Sequence, residues 1–213
     1  MAKQQKLNPK EQNRLQLTQL LQNKAALKQD IAADAEAVFL NLKETIKSEL
    51  KALRAIVSDE RVRLHYKERG DYEIHVYIGS DVLVFSLHHN VFRLPDHNPL
   101  WGTGYFQQNE QRGYFGVIYV YNFLAESLIQ NRIDDSGYLI SRLFVNHEKH
   151  FFVEGRTQLS GIFRDTARHQ WNDDICALVV QMTFAYALSF DLYIPPYEIQ
   201  DEISVNQMHY MGE

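Results

Sequence analysis

Nine histidines are spread along the 213 residues, and two groupings of them have the makings of a metal or acid-base site. In the first, His88 and His89 precede Asp96, His97 and Trp101, so imidazoles and a carboxylate stand at the mouth of a long aperiodic segment. A loop can gather residues that a strand would hold apart. His88, His89, Asp96 and His97 are thus suitable ligands for Zn²⁺ or Mn²⁺, or an acid and base for metal-dependent hydrolysis. Their spacing matches no common metal signature, and the plainer reading is a loop whose histidines cap turns or stack on Trp101 and Tyr105. In the second grouping, a hairpin with a three-residue loop sets His65 opposite His75 on an exposed face, close enough for one Zn²⁺. Zinc wants a third protein ligand and Glu73 falls at the wrong distance along the strand, so an ordinary pair of surface histidines is the alternative.

Other chemistry-bearing stretches lack their required context. His147-Glu148-Lys149-His150 separates its histidines by three residues in a turn, where the zinc-protease motif needs four on one helical face. Gly102-Thr103-Gly104 has neither the strand before nor the helix and Lys after that a phosphate loop uses. There is no Gly-x-Ser-x-Gly elbow, and the single Cys176 lies inside the most apolar stretch, where a thiol is packing rather than a nucleophile. Arg156, Arg164, Arg168 and His169 cluster before the last helix. They suit an anion there, or ordinary ion pairs with Asp165, Asp173 and Asp174. Tyr72, Tyr77, Tyr119 and Tyr121 have too little basic interleaving to stack a single nucleic-acid strand, so cross-strand packing accounts for them. The ligand-contact candidates are therefore His89, His97, Trp101, Tyr105 and Arg156.

These residues need elements to hold them, and the longest is helical. From Leu17 to Val57 apolar or small residues recur in 11 steps over 40 residues, about 3.6 per step, with Lys24 the one break. Asn8-Pro9-Lys10-Glu11 supplies an N-cap, a proline at the first helical position and a reciprocal Glu. Unbroken to Val57, this helix outruns a compact body of this size. It is expected either to break near Gln29-Asp30 or to project, with residues 31–57 docked and 9–29 looser or intermolecular. From Arg61 the period changes to two. Val62, Leu64 and Tyr66, then Ile74, Val76 and Ile78, then Leu83, Phe85 and Leu87 form inward rows across turns at Arg69-Gly70-Asp71 and Gly79-Ser80. Residues 93–113, with Pro95, Pro99, Gly102 and Gly104, are too polar and broken for a core element. A long ordered loop of this kind generally serves a purpose.

Strand character resumes at Tyr114–Tyr121; Asn122 to Ile133 is an extension or a short helix. A turn at Asp134–Gly137 leads to a hairpin of 138–146 and 150–156. A helix over about 172–192, ended by Pro195-Pro196, is apolar almost all round and belongs in the core. Ile199 and Ile203 then pin a tail.

The expected fold is α+β: a long N-terminal helical arm (1–57), an antiparallel domain (58–197) with a meander sheet of five to six strands and a buried C-terminal helix, and a tail (198–213). The net charge of -5 and a pI near 6.0 disfavour duplex nucleic acid as a partner. Charge is uneven: the first 57 residues carry ten Lys/Arg against six Asp/Glu, the rest twelve against twenty-one. A basic arm is thereby attracted to an acidic body, its own or a twin's, unless Lys43, Lys47, Lys51 and Arg54 are simply a solvated ridge. The apolar run 175–190 is shorter than the ~20 residues of a membrane span. One cysteine and a start without an apolar run suit a reducing, cytoplasmic home. The expected function is non-enzymatic: homodimerisation through the arm, with a small ligand or protein partner bound at the 95–113 loop. Metal-dependent hydrolysis at 88–97 is the alternative.

Overall fold

The computed structural model describes residues 8–191. The expectations for Pro195-Pro196, Ile199, Ile203 and the 198–213 tail lie outside them.

The Asn8 side chain accepts from the Glu11 amide at 2.9 Å and Glu11 accepts from the Asn8 amide at 3.0 Å, the reciprocal cap that the sequence announces. From there α1 (Pro9–Gln19), a π-helical turn (Leu20–Ala25) and α2 (Ala26–Ile56) follow without interruption, roughly 70 Å of helix at ~1.5 Å per residue. Of the two alternatives, the break near Gln29-Asp30 does not occur, for α2 runs through both. The excess length is met by exposure: α1 buries no residue, whereas α2 buries Leu27, Ile31, Ala35, Val38, Leu42, Ile46 and Leu50 along one face. In the π turn the Ala26 amide reaches back five residues to the Leu21 carbonyl. That turn takes up one extra residue and rotates the face, so Lys24 points out and Ala25 is half-buried. The single break in the apolar period coincides with this local change of helix type.

The remaining elements are β1 (Leu64–Glu68), β2 (Glu73–Ile78), β3 (Asp81–Leu87), β4 (Phe92–Arg93), α3 (Gly104–Gln108), β5 (Tyr114–Leu124), α4 (Ala125–Ile129), β6 (Tyr138–Val145), β7 (Phe151–Gly155), α5 (Leu159–Ile162) and α6 (Asp173–Leu188). The strands form one antiparallel sheet in the order β1-β2-β3-β5-β6-β7, with two-residue β4 pairing to β5 beyond the end of β3. The two meanders become one sheet because β3 and β5 pair from Asp81↔Leu124 to Leu87↔Ile118. Gly79, with φ +59°, takes the first place of the two-residue turn between β2 and β3, a conformation glycine adopts without strain. The residues from Asn122 onward do both things open to them: three extend β5 and the next five form α4.

Period-two residues Ile74, Val76, Ile78, Leu83, Phe85, Ile118 and Val120 meet α2 and α6 on one face of the sheet. Each fully buried aliphatic side chain there contributes about 1.5–3 kcal/mol. Asn172 caps α6, accepting from the Ile175 amide at 2.9 Å, and Cys176, Val179, Val180, Thr183, Phe184 and Ala187 are buried. The opposite face is covered in two patches. One is α4 over Tyr77, Val82 and Val84. The other corrects the expectation that residues 93–113 cannot contribute a core element: Leu94, Phe106, Phe115 and Phe152 form a small core joined by Leu100, Trp101, Tyr105 and Phe144. Its apolar residues are irregularly spaced because short turns, not a long helix or strand, aim them inward.

Candidate functional site

The histidines separate. His88 and His89 follow the alternation of the strand they extend and diverge. His88 packs on Phe92 and Tyr119 with ring centroids at 4.8 and 6.0 Å, and its Nδ1 accepts from the Asn90 amide at 3.0 Å. His89 instead meets Tyr72 edge-on at 4.6 Å and lines a small cleft with Ala32 and Glu36 of α2. His97 is exposed, and the Asp96 carboxylate is held by the Arg93 guanidinium, whose hydrogen bond and charge keep that carboxyl below its usual range. Among the described residues no group of three or more His, Cys, Asp or Glu is gathered to hold a metal ion.

His65 and His75 do not face each other. The turn centres on Gly70-Asp71-Tyr72, closed by Arg69 and Glu73, one residue later than read from the sequence, so His65 pairs with Tyr77 and His75 with Lys67. The two imidazoles keep a common face but are offset by two positions. His65 stacks on Tyr77 at 4.4 Å, and His75 Nε2 bonds Glu73 at 2.7 Å. Burial first, then the charges of Lys67, Arg54 and Arg63, lower the His65 pKa. The same cations oppose a dication there.

The 95–113 segment is tied down rather than open. Trp101 Nε1 donates to the Pro95 carbonyl at 2.9 Å, and Gly113 has no room for a β-carbon because the Trp101 ring would lie 2.1 Å from it. Tyr105 donates to Glu148 at 2.9 Å, accepts from Asn146 Nδ2 at 2.9 Å and lies under the Arg112 guanidinium at 4.3 Å. Arg112 Nε donates to Glu148 at 2.9 Å. Burial pushes the Tyr105 phenol up to about 12. Burial would likewise raise Glu148, but the hydrogen bonds from Arg112 and Tyr105, with Arg112's charge, outweigh it and hold the carboxyl low. The sequence names Glu148 only within His147-Glu148-Lys149-His150 and does not link it to Arg112, nor Arg112 to Asn146, because they sit 36 and 34 residues apart, in a loop and a hairpin turn with no shared period.

The arginine cluster disperses as well. Arg156 is exposed, Arg168 pairs with Asp165 at 3.1 Å, and the start of α6 is served by Asn172, Asp173 and Asp174.

What the structure does bring together is the helical arm and the loop. Asn23, Lys24 and Leu27 form one wall of a notch of about 430 Å³; Arg93, Glu110, Gln111 and Tyr114 form the other. Arg93 is positioned by Asp96 and by Trp101, whose ring lies 4.9 Å from the guanidinium carbon. Further along the arm, away from the body, Leu20, Leu21 and Leu17 share one side of the helix and are 56, 66 and 60 % exposed. An apolar stripe and a notch with Lys, Arg and Glu at its rim have the composition of a protein-binding surface. No protein-family model, curated protein or solved structure matches the chain. Among the described residues no helix is long and apolar enough to cross a membrane.

Proposed function

We propose that this is a non-enzymatic association module whose arm and notch together bind a second copy of the chain. The observation that carries the reading is the stripe of Leu17, Leu20 and Leu21, each more than half exposed on a helical stretch with no buried residue of its own. Helices without tertiary cover are marginal in water, and contiguous exposed leucines mark an interface. A second copy is the favoured occupant for two reasons. A two-fold axis lets the same stripe cover itself. Charge agrees too: Lys10, Arg14 and Lys24 outnumber Glu11 on the arm, while residues 58–213 carry a surplus of acid, so one arm is drawn towards the other body. A reducing, cytoplasmic setting suits the one buried thiol.

Sedimentation equilibrium of the full chain tests this. A dimer is expected, and Leu17→Glu with Leu20→Glu and Leu21→Glu should give a folded monomer whose urea midpoint no longer depends on protein concentration, as the parent's should. A full chain monomeric at high micromolar concentration, or a triple variant as dimeric as its parent, would sink the proposal.

A further inference from the structure

The second site is a cavity of about 290 Å³ beyond the C-terminal end of α6, with Asp81 and Asn122 among its lining residues. Both lie at the end of the helix-covered face of the sheet, where β3 and β5 run past α6, and are 4 and 2 % exposed. The Asp81 carboxylate accepts from Asn122 Nδ2 at 3.0 Å and from Ser80 Oγ at 3.1 Å. Among the described residues no Lys, Arg or His pairs with it, although buried carboxylates are ordinarily matched by a cation. Because a carboxylate only accepts, it draws the Nδ2 end of Asn122, which leaves Asn122 Oδ1 buried without a hydrogen-bond partner.

The surroundings have the same polarity. Asp134 and Asp135 stand at the exposed rim, Asp135 receiving Ser127 Oγ at 2.6 Å, and the walls include the rings of Phe123, Tyr138 and Phe190. Tyr138 and Phe190 lie 5.8 Å apart at 47°. The last turn of α6 holds no basic residue, so its carbonyl end adds negative potential without a countercharge. Arg132, the one basic residue of the 125–137 connection, is not among the residues lining the cavity, and residues 192–213 contain neither Lys nor Arg.

A buried carboxylate, an unpartnered amide acceptor, acidic rim residues and aromatic walls make a receptor for a compact cation that both donates hydrogen bonds and accepts ring contact. A metal ion does not fit as well, for the aspartates are not gathered into a coordinating group. We infer that this cavity binds a small organic cation, an alkylammonium or alkylguanidinium molecule, with its charged head on Asp81 and Asn122 Oδ1 and its stem against Tyr138 and Phe190. The volume sits at the small end of ligand cavities, which limits the guest to a few heavy atoms beyond the head group.

Titration of the ¹⁵N-labelled full chain with butylammonium and butylguanidinium at constant ionic strength tests the assignment. Butanol serves as the neutral control and CaCl₂ as the metal arm. Saturable shifts are expected at Ser80, Asp81, the Asn122 carboxamide and Phe190, absent with butanol, and Asp81→Asn should weaken binding roughly tenfold or more by removing the charge from the hydrogen-bonded pair. Should D81N not fold, Asp134→Asn with Asp135→Asn at the exposed rim carries the test, with binding several-fold weaker. Equal response to butanol, unchanged affinity in D81N or in the rim variant, or displacement by micromolar Ca²⁺ overturns the inference.

Discussion

Gly116 of β5 and Ala35 of α2 meet so closely that a β-carbon on the glycine would lie 2.3 Å from the alanine's own. Real β-carbons do not approach that far, so the absence of a side chain at 116 sets the height of the long helix over the sheet. Ile31 and Leu27, the next buried residues towards the arm, follow from that seating, and Leu27 forms part of the notch. A small residue in the sheet thereby governs where the arm leaves the body.

Gly116→Ala should cost about 1–3 kcal/mol in urea unfolding, the range for overpacking a well-filled core. Adding Ala35→Gly should return part of this by removing the opposing methyl, less about 1 kcal/mol for glycine inside a helix. Strict additivity of the two substitutions would show that the contact is not the cause.

The clamp on the 95–113 segment predicts a pH dependence. Glu148 is held below the ordinary carboxyl value, so its contribution is fully present above about pH 4.5 and lost as pH falls through the lower folded value. Glu148→Gln should remove about 2 kcal/mol at neutral pH, since Arg112 and Tyr105 lose a charged acceptor. It should also flatten the acid limb of stability against pH and quicken amide exchange in residues 104–113. An acid limb identical to the parent's would locate the titrating group elsewhere.

Cys176 is fully buried, donates to Thr45 Oγ1 at 3.2 Å and has its thiol pushed up to about 11 by burial. A maleimide at pH 7 should leave the native chain unlabelled for hours and label it stoichiometrically in urea. Rapid native labelling would mean that α6 opens locally at a rate that its packing on α2 does not allow.

Local chemistry alone determined much of this protein. The Asn8 cap, the 3.6-residue stripe of α2, the period-two rows of β2 and β3, the turn at Gly79 and the Asn172 cap of α6 depend on neighbours within a few residues, and all are readable along the chain; of the inward row read for β1 only Leu64 is buried, Val62 and Tyr66 being exposed. Lys24 even marked the place where the helix changes, although its meaning as a wide turn was not legible. Tertiary structure decided the rest. A one-residue difference in the centre of the Gly70 turn separated His65 from His75. Strand alternation carried His88 and His89 apart, and the apolar residues of 94–106 became a core only when β5 and β7 supplied its other half. Asp81 and Asn122 are unremarkable 41 positions apart. Their shared cavity exists because β3 pairs with β5 and α6 stops short above them, and no period or spacing encodes where two strands end relative to a helix.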